Sequence, residues 1–182
     1  MPAVSGLKCS PVWKTSANTM LAKLDPLPAV VGNARTDLLA YNRSYDFLMD
    51  VSSLPAEERN TTLQMFTNPD WRERVMDWDD RADQMVGQLR GAMAEHIGEP
   101  AWKSLIKRVR RESPEFDERW RRHEVRPMRN LTKRFRRPEV GVLNFDYAYL
   151  WLGRRSALRM TTYTPADEET ATKLRMVFRN GT

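Results

Sequence analysis

The stretch Ser113–Trp151, SPEFDERWRRHEVRPMRNLTKRFRRPEVGVLNFDYAYLW, decides the fold. Ser113 offers a hydroxyl to the free N–H groups of a helix start, and Pro114 fits the first turn. Phe116 and Trp120, four apart, share one face of that helix, while Arg119, Arg121 and Arg122 fan away from it. After Pro127 the pattern turns extended over Leu131–Arg137, and a turn at Pro138–Gly141 leads into a β-rich run, Val142–Leu152. There Leu143, Phe145, Tyr147, Tyr149 and Trp151 share one parity, so they project from one side of a strand. A helix bearing two aromatics and feeding a hairpin with an aromatic face describes the wall of a cavity or of a core.

The chain on either side extends this pattern. Residues 10–24 read as a helix begun by Ser10-Pro11, with Trp13, Ala17, Met20, Leu21 and Leu24 on its apolar stripe. Pro28–Val31 and Asp37–Tyr41 flank Gly32-Asn33-Ala34-Arg35 as a hairpin. Asn42 is placed to cap a short helix carrying Tyr45 and Leu48. Ser53-Leu54-Pro55 predicts a helix to about Phe66, with Leu63 and Phe66 inward, and Asn68-Pro69 the longest one, from Asp70 to about His96. Its stripe is Val75, Trp78, Ala82, Met85, Val86, Leu89 and Met93. Trp102, Leu105, Ile106 and Val109 mark the next helix, which leads to Ser113. Beyond Trp151, Gly153-Arg154-Arg155 turns into a third strand over Ala157–Thr164. Thr164-Pro165 then resembles the cap of a last helix bearing Ala171, Leu174 and Phe178. The expected class is α+β: two strands, a helical block, three strands and a closing helix. It is one domain over residues 10–180 after a disordered 1–9, with 25–164 as its core and 165–179 as the C-terminal helix.

Composition narrows the function. A chain of 182 residues with 41% hydrophobic residues and mean hydropathy −0.66 buries a proper core but has no apolar run near the roughly 18 residues of a membrane span. The N-terminus lacks the pattern of a secretory signal. One cysteine, Cys9, excludes an intramolecular disulfide and a cysteine-based zinc site, which fits a reduced, cytoplasmic protein. Two histidines, His96 and His123, are too few for a multi-histidine metal site, and no phosphate loop, nucleophile elbow or HExxH is present. The expectation is a protein that is not an enzyme and carries no cofactor and no metal. Net charge is +6, with 14 lysines and arginines against 5 acidic residues between Lys103 and Arg137. That block either solvates helix and strand faces or forms a nucleic-acid-binding or protein-interaction surface.

The decisive stretch also carries a family resemblance. SPEF, a following tryptophan, RHEVR and then KRFRRPEVGVLNFDY look like the ligand-binding domain of MmyB-like transcription regulators, a PAS-like sensor in bacteria. DPLPAVV (Asp25–Val31), LLAYN (Leu38–Asn42), LPAEERN (Leu54–Asn60) and NPDW (Asn68–Trp71) fit the same pattern in order. The resemblance implies a PAS-like antiparallel sheet and a small hydrophobic ligand, with fatty-acid-like molecules the best candidate. Family members carry a helix-turn-helix domain in front; with nine residues before the first helix, the expectation is a sensor without its DNA reader. On that expectation the chain binds no operator sequence by itself and works, away from membranes, through its N-terminal helix, as a homodimer or with a separate DNA-binding partner. Trp78, Met85, Phe116, Trp120, Phe135, Leu143 and Phe145 are the candidate cavity wall, or else ordinary core. His123 and Arg126, at the helix-to-strand passage, either cap the helix and pair with Glu124 or Asp146, or bind the acidic head of a ligand.

Overall fold

The computed structural model describes residues 11–96, 98–122, 132–152 and 158–179. The expected disorder of residues 1–9 falls outside them, as do His123 and Arg126. The order is α1 (Pro11–Leu24), β1 (Ala29–Gly32), β2 (Leu38–Tyr41), α2 (Arg43–Met49), α3 (Thr61–Thr67), α4 (Pro69–Arg74), α5 (Trp78–Ala94), α6 (Pro100–Glu112), α7 (Pro114–Arg122), β3 (Thr132–Arg137), β4 (Gly141–Trp151), β5 (Arg159–Pro165) and α8 (Glu168–Phe178). The strands form one antiparallel sheet in the order β2-β1-β5-β4-β3. This is an α+β fold of the PAS-like kind, with the helical block inserted between the first two strands and the last three. β4, the long aromatic strand, lies between β3 and β5, pairing Leu143 with Phe135 and Tyr147 with Tyr163.

Strand alternation separates two apolar layers. On the inner face Val30, Phe135, Leu143, Phe145 and Tyr163 meet the helical block, where Leu48, Leu63, Trp71, Leu89, Val109 and Phe116 are buried. On the outer face Ala29, Val31, Ala40 and Met160 take Ala17 and Leu21 of α1. β1 therefore presents Val30 to one layer and its neighbours to the other, so any shift of that strand reaches both. Trp151, last of the inward parity on β4, is 63% exposed and borders a groove with Gln88, Leu89 and Ala92 of α5.

Two expected helices are broken, each by a long-range contact that local periodicity does not encode. The helix expected from Ser53 begins only at Thr61, because Asn60 caps it, its Oδ1 accepting from Leu63 N at 3.0 Å. The Asn60 amide meanwhile donates to Arg35 O and Asp37 Oδ1, which ties it to the β1–β2 turn. Two single 3-10 turns, Val51–Ser53 and Ala56–Glu58, precede it. The helix expected from Asp70 to His96 is interrupted between Arg74 and Trp78. There Val75 bridges Phe135 and Met76 N donates to Arg134 O at 3.1 Å, so the free edge of β3 takes the backbone groups that an unbroken helix would keep. At the C-terminus the cap is Asp167 and not Thr164: Asp167 Oδ1 accepts from Thr170 N at 2.7 Å. Ser113 does cap α7, accepting from Phe116 N at 3.1 Å.

Among the described residues the arginine-rich block is largely engaged with carboxylates. Arg108 pairs with Glu58 and Glu112, Arg110 and Arg121 with Asp117, Arg119 with Asp79 and Asp83, Arg122 with Glu118, and Arg134 with Asp77. Those of these pairs that stand open to solvent contribute little stability, while Arg119–Asp83 is part-buried. They do spread the positive charge over internal partners, in keeping with arginines that solvate the faces they sit on.

Candidate functional site

β3 sets the site by parity. Lys133, Phe135 and Arg137 share its inward side, and Phe135 stacks edge-on with Phe145 and Tyr163 at 6.0 and 5.9 Å. Across from them, α5 turns Arg81 and Met85 toward the sheet, while α2, α3 and α4 bring Met49, Met65 and Trp71. Between these layers lies a cavity of about 90 Å³, closed on the sheet side by Tyr147, Tyr149 and Tyr163. Its apolar wall is methionine-rich, and unbranched thioether side chains re-pack around ligands of varied shape.

Arg81, Lys133 and the tyrosines lie close to one another at this cavity. Arg81 is 8% exposed and donates to Thr132 O at 2.5 Å and Gln84 Oε1 at 3.0 Å. Lys133 Nζ donates to Tyr163 Oη at 3.3 Å and lies 4.5 and 5.1 Å from the ring centres of Tyr147 and Tyr163. Lys133 keeps some accessible surface, yet burial of its amine, with the charges of Arg81 and Arg159 nearby, pushes its pKa down to about 7. Burial likewise holds the Tyr163 and Tyr149 hydroxyls above their ordinary range, so both stay protonated donors. Asp77 also borders the cavity, but its carboxylate accepts from Arg134 Nε at 3.0 Å and Nη2 at 2.5 Å, and these bonds hold it below the usual carboxylate range. The chemistry on offer is an apolar wall with hydroxyl, guanidinium and amine donors at one place, which suits an anionic or carbonyl oxygen.

The residues singled out from the sequence divide into groups. Met85 and Phe135 line the cavity. Trp78, Phe116, Leu143 and Phe145 are buried in the layer behind it. The Trp78 indole donates to Met65 O at 2.9 Å, and Phe66 packs edge-on against both Trp78 and Phe116. Trp120 stacks on Phe116 at 5.5 Å and faces a separate surface groove with Met93 and Ile106. The cavity residues that sequence reasoning missed are Lys133, Arg81 and the tyrosine group. A signal for two of them was present: Lys133 is two positions from Phe135, and Arg81 is three from Trp78 and four from Met85, so both lie on apolar faces.

The family model described as MmyB-like transcription regulator ligand binding domain matches residues 14–177, nearly all of the chain. The chain belongs to this family. An MmyB-like domain is by that description the ligand-binding part of a transcription regulator, and the cavity lies where its sheet and helical block meet. None of the curated proteins compared with the chain matches it. Among the described residues, no helix is long and apolar enough to cross a membrane.

Proposed function

We propose that this MmyB-like domain is a small-molecule sensor for a compound with an apolar body and an acidic head, a straight-chain fatty acid being the simplest case. The observation that carries the reading is the Arg81 guanidinium and the Lys133 amine beside a cavity whose apolar wall is built mainly of methionines and aromatic rings, with the Asp77 carboxylate at its border taken up by Arg134. A carboxylate there gains charge-assisted hydrogen bonds, and each buried methylene of the tail adds about 0.8 kcal/mol. Ordinary ligand pockets span about 300–1,000 Å³. At about 90 Å³ the cavity takes the head and the first part of a tail, and longer tails require Met49, Met65 and Met85 to move aside.

The output runs through α1. Ligand on the inner face biases β1 and β5, and α1 rests on the outer face of the same strands. A change there alters the surface α1 presents to a second copy of the chain or to a DNA-binding partner. In this reading the domain binds and transmits, without turning its ligand over, in the cytoplasm of a bacterial cell. Calorimetric titration with straight-chain acids of rising length tests it. Saturable one-to-one binding that strengthens with length and then levels off is expected; no binding by any member of the series overturns the reading.

A further inference from the structure

Lys133 has unusual company for a lysine. Among the described residues no carboxylate pairs with it. Its charged neighbours are two guanidinium groups, Arg81 from α5 and Arg159 from β5, and its hydrogen-bond partner is the Tyr163 hydroxyl at 3.3 Å. The remaining titratable groups around the cavity are Tyr45 from α2, Tyr147 and Tyr149 from β4, and Asp77, whose carboxylate is taken up by Arg134. Enclosure and neighbouring cations both favour the neutral amine, and a neutral amine in an apolar pocket is a nucleophile.

We propose that the cavity also captures aldehydes, with Lys133 Nζ forming a reversible imine at the carbonyl carbon of a straight-chain aldehyde. This rests on the reading of the cavity as a site for a chain with a polar head, because the aldehyde lies where the acid would. The amine lone pair forms the new N–C bond, the carbonyl π pair moves to oxygen, and the nitrogen proton passes to that oxygen to give a carbinolamine. The C–O bond then breaks with loss of water, leaving C=N, and no oxidant or reductant is consumed. Tyr163 is within hydrogen-bond reach of the amine, so its hydroxyl can donate to the departing oxygen. With its pKa near 7, about half of the Lys133 amine is neutral at neutral pH. An ordinary lysine, with a pKa of ~10.4, holds less than about 0.1% of its amine in that form.

Trapping with borohydride tests this directly. The purified protein is incubated with octanal at neutral pH, reduced, and mapped by peptide mass spectrometry. The expected result is one octyl adduct, on Lys133, which disappears in both Lys133→Arg and Lys133→Met. Labelling at Lys133 rises to about pH 7 and then flattens, whereas exposed lysines such as Lys103 and Lys107 gain label up to pH ~10. Thermal melts establish that each variant is folded. Adducts spread over surface lysines and unchanged in Lys133→Arg overturn the inference. Binding of octanoate without trapping of octanal at Lys133 also overturns it while leaving the acid-sensing reading in place, whereas loss of both overturns the two together.

Discussion

Replacing Asn42 by Ala removes four hydrogen bonds at the junction of α1, β1 and α2. Its Oδ1 accepts from Ala29 N at 2.9 Å and from Tyr45 N at 3.0 Å, and its Nδ2 donates to Leu27 O at 2.8 Å and Leu21 O at 3.2 Å. The Tyr45 bond is the N-cap of α2, and Leu21 O is a carbonyl in the last turn of α1, where helices run short of intrahelical donors. Losing the cap costs about 1 kcal/mol. The Ala29 amide and the two carbonyls then lack partners where Asn42 is 5% exposed, at about 1–3 kcal/mol for each buried group. Water entering the gap offsets part of that, so the expected total is about 3–5 kcal/mol. For a chain of this length such a loss lowers the melting temperature by roughly 10 °C. Urea and thermal denaturation followed by circular dichroism measure it. Asn42→Asp keeps both acceptor bonds yet turns a carboxylate toward two carbonyls, so it too is expected to lose several kcal/mol, about the same range. A loss below about 1 kcal/mol for Asn42→Ala would refute the claim that this side chain locks α1 to the sheet.

Two further outcomes follow from the same structure. Folding lowers the Lys133 pKa from ~10.4 to about 7, so between those values the unfolded chain holds more of the proton and wild-type stability rises with pH, by at most ~1.4 kcal/mol per unit. Lys133→Met lacks this penalty; its stability advantage is therefore largest at and below about pH 7 and shrinks toward pH ~10, and denaturation curves with a constant gap would contradict the enclosed amine. The arginine pairing predicts weak DNA binding that fades as salt rises; a gel shift at physiological salt with tight preference for one sequence would contradict it.

Much of the fold was legible because neighbouring residues determine it. The parity of Leu143, Phe145, Tyr147 and Tyr149, the Ser113 cap and the Asn42 cap are local signals, and the structure uses all of them. Helix breaks were not legible. Val75 belongs to an apolar stripe by spacing, but its backbone is claimed by Phe135, 60 positions later, and Asn60 is held by Asp37 across the chain. The site was half legible for a related reason. Large apolar residues identify the layer that holds the cavity, whereas the cavity itself lies where packing is incomplete, around Met85 and Phe135 and in front of Trp78 and Phe145. Arginine and lysine, read by type, point to solvent; Arg81 and Lys133 are recognised as cavity residues only once their faces are assigned.

The central claim is that the Arg81 guanidinium and the Lys133 amine, which a bound carboxylate draws to its protonated form, select an acidic head, and paired calorimetry of octanoate and octanol tests it most directly. Wild type should prefer the acid. Lys133→Met should lose affinity for octanoate by about 1.5–3 kcal/mol, the worth of a hydrogen bond to a charged group, while octanol binding changes little. Arg81 is left intact in this comparison because it also holds Thr132 O. Equal affinity for acid and alcohol in wild type, or equal losses of both in a folded Lys133→Met, would contradict the account.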